Sequence, residues 1–249
     1  MSVIKFVISL IVFFFPTYFA APLLRLFGYR IGSRVRVGFS LLIADRISLD
    51  NNVRIGHFNF IRVRRLIMKK SSNINRSNIV SGPLSLWLDS CASIGNRNKV
   101  VRAPFPSVVC WGACFVLGEG SKITSDHLID CTRTVRLGSN TIIAGSGSQI
   151  WSHGYIHDAD GPGRYRIDGK VNIGNNVYLG SRCIINLGVN IAPACIVGAG
   201  SVIAKSLPKP GFYVGAGLRI LPRPLSPAFR DNLHMETSKC LCEKVYFKN

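Results

Sequence analysis

Ile173-Gly-Asn-Asn-Val-Tyr178, Leu179-Gly-Ser-Arg-Cys-Ile184, Ile185-Asn-Leu-Gly-Val-Asn190, Ile191-Ala-Pro-Ala-Cys-Ile196 and Val197-Gly-Ala-Gly-Ser-Val202 each begin with an aliphatic residue, and Ile203 repeats the position once more. A period of six belongs to neither an α-helix nor a simple alternating strand. It belongs to a chain wound as a parallel β-helix, in which three short strands complete one turn and the aliphatic residue points into a narrow prism. Gly, Ala or Asn follows most of these residues, where a corner leaves little room for a side chain. Four residues after each aliphatic position stands a second small or apolar residue, namely Val177, Cys183, Val189, Cys195 or Ser201. Two interlocked positions repeating together specify the coil.

Working toward the N-terminus, Ile31, Val37, Ile43, Leu49, Ile55, Ile61 and Ile67 carry the same spacing. The register then slips and restarts at Leu88, Ile94, Leu117, Ile123, Ile129, Leu137 and Ile143, as expected if small insertions sit at corners of the prism. One all-β domain over residues 31–207 is therefore expected. An apolar segment (1–30) precedes it and a tail (208–249) follows, opened by Pro208 and Pro210.

The charge is one-sided: 31 Lys and Arg against 12 Asp and Glu give a formal +19. Anionic partners follow from that balance. Arg62, Arg64, Arg65, Lys69 and Lys70 form one cluster. Nucleic acid is not among the expected partners, because no basic platform interleaved with aromatics and no reading helix is visible. The eight cysteines do not form a disulfide framework. Cys183 and Cys195 occupy inward coil positions, where a thiol packs as a small hydrophobe, and this favours a reducing compartment. Cys110 and Cys114 lack a matching second pair, so no metal is expected.

From Phe6 to Leu24 the chain is apolar apart from Ser9, Thr17 and Tyr18, and Pro16 and Pro22 interrupt it. Such a stretch could span a bilayer, serve as a signal peptide ending near Ala21, or lie in the interface as a helical hairpin. The coil begins almost at once afterwards, so the expectation is a segment docked beside the first turn. Its flanking Arg25 and Arg30 suit anionic headgroups on the cytoplasmic face of a membrane, to which the segment is expected to attach peripherally or monotopically.

A coil alone states no function; the chemistry must come from breaks in the repeat. The informative break runs Gln149-Ile-Trp-Ser-His153-Gly-Tyr-Ile-His157-Asp-Ala-Asp-Gly-Pro-Gly-Arg-Tyr-Arg-Ile-Asp-Gly169. An insertion (151–169) rich in Gly and aromatics, carrying two of the five histidines, suits a loop over a cleft.

With that loop, the Ile173–Arg182 hexads and Val197-Gly-Ala-Gly-Ser-Val-Ile-Ala-Lys205, the chain resembles the hexapeptide-repeat acyltransferases. Within that left-handed β-helix group it looks most like the O-acetyltransferases of bacterial surface-polysaccharide biosynthesis. The resemblance covers residues 31 to about 224. Its tail element is only partly kept, as Val214-Gly-Ala-Gly-Leu-Arg219. The resemblance implies a homotrimer with acetyl-CoA in the groove between neighbouring coils, and acetyl transfer to a hydroxyl of a sugar or lipid-linked glycan. A histidine near its working pH removes the hydroxyl proton, and no metal takes part. His153, in Trp-Ser-His-Gly, matches the place of the family's base, while His157, in Ile-His-Asp, resembles relatives with a His-Asp pair; the residues leave both open. On the coenzyme side the matching positions are Ser181, Gly198, Ala199 and Lys205. Trp151, Asp158 and Tyr178 are candidates for the acceptor pocket. Two other classes remain: a non-catalytic trimeric scaffold, and a metalloenzyme like the γ-type carbonic anhydrases, for which His127 would have to join His153 and His157.

Overall fold

In a computed structural model, residues 3–15, 19–104, 112–157, 159–215, 219–221, 233–236 and 245–248 are described. Two helices open the chain, α1 (Val3–Phe14) and α2 (Ala20–Leu26). The rest is a parallel β-solenoid with three faces. On the first face Leu42, Ile61, Val80, Val100, Ile129, Ile150, Ile185 and Ile203 align across successive turns. The second face aligns Ile31, Leu49, Met68, Leu88, Leu117, Leu137, Ile173 and Ile191. On the third stand Val37, Ile55, Ile74, Ile94, Ile123, Ile143, Leu179 and Val197. Nearly all of these side chains are fully buried and form one continuous core. The repeat persists because each turn alone has no covered apolar face; stacking supplies it.

Two hexad positions differ from the expected phase. Met68, not Ile67, belongs to the core, and Leu42, not Ile43, aligns with Ile61. Ile43 shares register with Arg62 and so points away from the prism, but it is 4% exposed, on the strand against which α1 packs. Early turns carry an extra residue or two (ladder spacings of 18, 19 and 20), which moves the inward position by one. The coil also runs past Leu207. Gly211–Val214 adds a further parallel rung on Cys195–Val197, and Arg219–Leu221 pairs antiparallel with it. Pro208 and Pro210 lie at the corner before that rung rather than at the end of the coil.

A polar ladder runs up one corner. The Asn59 carboxamide accepts the N–H of Asn78, Asn78 accepts that of Asn98, and Asn98 accepts that of His127. The Nδ1 atom of His127 in turn accepts the N–H of Ser148. The preceding residues Phe58, Ser77, Arg97 and Asp126 all take φ near +60°, a left-handed turn that non-glycine residues rarely adopt. Buried carboxamides that satisfy those turns supply the compensation.

The N-terminal helices pack on the first turn. Val12, Ala20 and Leu24 are fully buried and join the coil core, covering its open end. Arg25 clasps the turn from α2, donating to the carbonyls of Ile31 and Gly32. No helix among the described residues is long and apolar enough to cross a membrane.

Candidate active site

The insertion after Trp151 is a β-hairpin in which His153–His157 pairs antiparallel with Arg164–Asp168. Its root is fixed against the coil: a Cβ on Gly154 would meet Leu187 Cδ2 at 2.9 Å, so the residue next to His153 cannot be larger without moving that contact. His153 lies at this root. His157 lies at the exposed far end, opposite Arg164. Asp158 lies outside the described residues.

At the root, His153 Nδ1 stands 2.8 Å from Asp130 Oδ2. Asp130 comes from the coil turn below and is nearly covered; its side chain is 7% exposed, against 27% for His153. The same carboxylate collects three further donors. The Ser152 N–H and hydroxyl reach Oδ2 at 2.9 and 2.7 Å, and the Thr132 hydroxyl reaches Oδ1 at 2.9 Å. Burial alone pushes the Asp130 carboxyl up, but the bonds from His153, Ser152 and Thr132 outweigh it and hold it below the ordinary carboxylate value. Asp130 is therefore an anion that only accepts. The His153 nitrogen facing it is then the donor, so in the neutral ring the lone pair is on Nε2, turned away from the carboxylate. That is the arrangement of a positioned general base held by a buried acid.

Sequence inspection did not single out Asp130, because the contact joins residues 23 apart across one turn of coil. An acid directly after the inward Ile129 was the only available sign. Its neighbour Cys131 is fully buried, and burial pushes its thiol up to about 12, so it offers no thiolate nucleophile.

An open cleft of ≈ 570 Å³ lies in front of His153. Trp151, Tyr155 and Arg166 border its upper part, while Arg62, Ser81, Lys99 and Arg102 line the coil below. Trp151 packs edge-on against His153 at 6.5 Å, and its indole N–H is tied to Gln149 at 3.0 Å. Tyr155 meets the imidazole edge-on from the hairpin side at 6.1 Å.

The remaining expected site residues fall on two edges of the prism. Lys205 follows Ile203 on the first face, exposed, at the same edge as His153 and two rungs above it. Ser181, Gly198 and Ala199 stack at the opposite edge of that face, where Gly180 lies against Ala199. Gly198 has little left to offer a ligand: its N–H bonds Tyr213 O at 2.8 Å and its carbonyl accepts the Ser201 hydroxyl at 2.7 Å. Tyr178 is exposed on the third face, outside the cleft. His127 is buried, its Nδ1 accepting from Ser148 and its Nε2 donating to Thr124 at 3.0 Å. That engagement removes it from the metal set considered above, and no three potential metal ligands cluster among the described residues.

No family model matches the chain. The galactoside O-acetyltransferase of Escherichia coli (strain K12) is 33% identical over 142 residues, covering 55% of this chain and 66% of that protein. The proposed acetyltransferase YvoF of Bacillus subtilis (strain 168) is 39% identical over 88 residues, 35% of this chain and 46% of the relative. The chain thus spans less than two thirds of the length of either relative. Among solved structures, the polysialic acid O-acetyltransferase OatWY superposes with a TM-score of 0.48 at 18% identity, over 78% of this chain and 81% of that one. At that level the superposition informs neither substrate nor mechanism.

Proposed function

We propose that this relative of galactoside O-acetyltransferase is itself an O-acetyltransferase, moving an acetyl group from acetyl-CoA to a sugar hydroxyl. Its setting is taken to be bacterial surface-polysaccharide biosynthesis, on a left-handed coil assembled as a homotrimer. The observation that carries the reading is the Asp130–His153 pair at the cleft, with Nε2 free to take a proton.

The chemistry needs little more. The acceptor hydroxyl gives its proton to His153 Nε2 while its oxygen attacks the thioester carbonyl carbon. The tetrahedral species collapses, the C–S bond breaks, and the imidazolium returns the proton to the departing CoA sulfur. Asp130 stabilises the imidazolium and keeps the ring in the right tautomer without taking the proton itself. General-base assistance of this kind supplies roughly 10²–10⁴-fold in rate, and holding the two substrates together supplies much of the rest. His157 lies at the hairpin tip, away from the buried acid, and among the described residues no carboxylate pairs with it.

Ser181, Ala199 and Lys205 remain the proposed coenzyme contacts, the first two through backbone groups and Lys205 through its charge on CoA phosphates. Because Ser181 and Ala199 lie on the edge opposite His153, a coenzyme lying there serves the His153 of an adjoining copy. Tyr178, off the cleft of its own chain, reaches an acceptor on the same terms.

Attachment to the membrane surface is part of this reading. Phe13, Phe14, Phe39, His57 and Phe58 form a chain of ring contacts beside the Phe15–Phe19 pair. Phe14, Phe19, Leu26 and Phe58 are each exposed by 65% or more. Arg30, Arg34, Arg36 and Arg54 stand exposed on the same first turns, a combination suited to an interface rich in anionic lipid.

The test is calorimetry with acetyl-CoA, followed by acetyl transfer to a panel of glycosides. The expected result is that wild type and His153→Asn bind acetyl-CoA alike and only wild type turns over. An intact wild-type protein that binds no acetyl-CoA would return the coil to the scaffold alternative.

A further inference from the structure

The cleft in front of His153 has a cationic lower wall that the transfer chemistry does not use. Arg62, Lys99 and Arg102 line it, with Arg166 on the upper part of the cleft, against one carboxylate, Asp130. Asp130 is committed to His153, and Arg166 is committed to Asp168 at 2.6 Å. Arg102 is 4% exposed and bridges two turns by donating to the carbonyls of Thr132 and Pro83. Arg62 and Lys99 are different: both are exposed, and among the described residues neither has an ion-pair partner. Two uncommitted cations facing one cleft, backed by a buried third, repel each other unless an anion occupies the space between them.

Position makes the pattern specific. Arg62, Ser81, Val101 and Asp130 stand in one column, each on the next rung. Arg62 is therefore three rungs below the acid that holds His153, about 14 Å at ~4.8 Å per strand. Lys99 is on the rung directly below Asp130, next to Leu128. Both Arg62 and Lys99 line the cleft on rungs below the imidazole, where an anion attached to the acceptor sugar would lie. Lys205, the proposed contact of the coenzyme phosphates, stands two rungs above His153, whereas Arg62 and Lys99 stand below it, so the two sets of cations are separate.

We infer that Arg62 and Lys99 bind a diphosphate ester on the acceptor, placing the attached sugar's hydroxyl at His153. Two free charges, with Arg102 behind them, match a diphosphate better than the single charge of a carboxylate. This rests on the acetyltransferase reading and specifies the acceptor as an activated sugar rather than a free one. The diphosphate belongs either to a nucleotide or to a lipid carrier, and the chemistry at these two residues is the same.

The experiment is titration at low ionic strength of the full chain saturated with CoA, so that the coenzyme's own phosphate sites are filled. The probes are inorganic pyrophosphate, UDP, farnesyl diphosphate in neutral detergent micelles, and glucuronate. The protein is wild type or the double variant Arg62→Gln/Lys99→Gln. Pyrophosphate is expected to bind wild type and to weaken at least about tenfold in the variant, while CoA affinity stays unchanged. UDP tighter than farnesyl diphosphate identifies a nucleotide source, and the reverse order a lipid source. The inference falls if pyrophosphate binds wild type and variant equally, or not at all, while CoA still binds. It also falls if glucuronate is the ligand that the substitutions weaken. Failure of CoA to bind wild type would instead overturn the acetyltransferase reading.

Discussion

At the scale of the residue, the pair Asp130–His153 decides what the cleft can do. Replacing Asp130 by Asn keeps the shape but removes the charge, and the new amide competes to donate toward Nδ1. That variant is expected to lose about 10²–10⁴-fold in kcat with acetyl-CoA affinity unchanged, as steady-state kinetics and calorimetry together would show. Thr132 and Ser152 act through Asp130, so Ser152→Ala should cost less. His127 supplies a second residue-scale prediction. Burial holds its imidazole below the ordinary 6.5. The folded chain then binds fewer protons than the unfolded one below that value, so this residue's stability contribution is full above about pH 6.5 and falls as pH falls. Asp130 acts with the same sign, but only below about 3.8. His127→Asn puts at this rung the residue that Asn98 and Asn78 supply below it. Thermal melts between about pH 6.5 and 5 should show a flatter decline in Tm for that variant than for wild type.

At the scale of the element, the two N-terminal helices do two separable jobs. Their inner faces close the coil, so Leu24→Ala should destabilise by about 2–5 kcal/mol in denaturant melts. Their outer aromatics contribute little to folding. Phe14→Ser combined with Phe19→Ser should leave the melting temperature within a few degrees of wild type and abolish sedimentation with anionic vesicles. A variant that still sediments would remove the membrane role from this patch. Deleting both helices answers neither question cleanly, because the deletion uncovers the core of the first turn. The hairpin at 153–168 has a comparable division: its root holds His153 by contact with Leu187, and its exposed tip carries His157.

At the scale of the whole molecule, one chain carries its proposed base on one prism edge and the proposed backbone contacts of the coenzyme, Ser181 and Ala199, on the opposite edge. A working site then needs two copies. Chains carrying His153→Ala and chains carrying Ala199→Arg should each be inactive alone. Co-expressed, they should recover roughly a quarter of wild-type activity, because random assembly returns some interfaces with both edges intact. No recovery, with mixed oligomers demonstrated by tagging, would mean that each chain completes its own site.

The sequence by itself determined the coil. A hexad with two inward positions can be satisfied only by stacked turns, and the inward residues of residues 173–203 are read correctly from spacing alone. The hairpin was visible as a break, and His153 as a titratable group within it. What the spacing could not carry was anything that crosses between turns. Where early turns gained a residue, local phase passed to Leu42 and Met68, because neighbouring rungs set the register rather than the hexad. That His153 lies against a buried acid while His157 lies at the hairpin tip, and that cations line the cleft below, came only from the tertiary structure. A solenoid brings into contact residues a full turn apart, and insertions at its corners make that separation vary along the chain, so no fixed spacing in the sequence marks the partner.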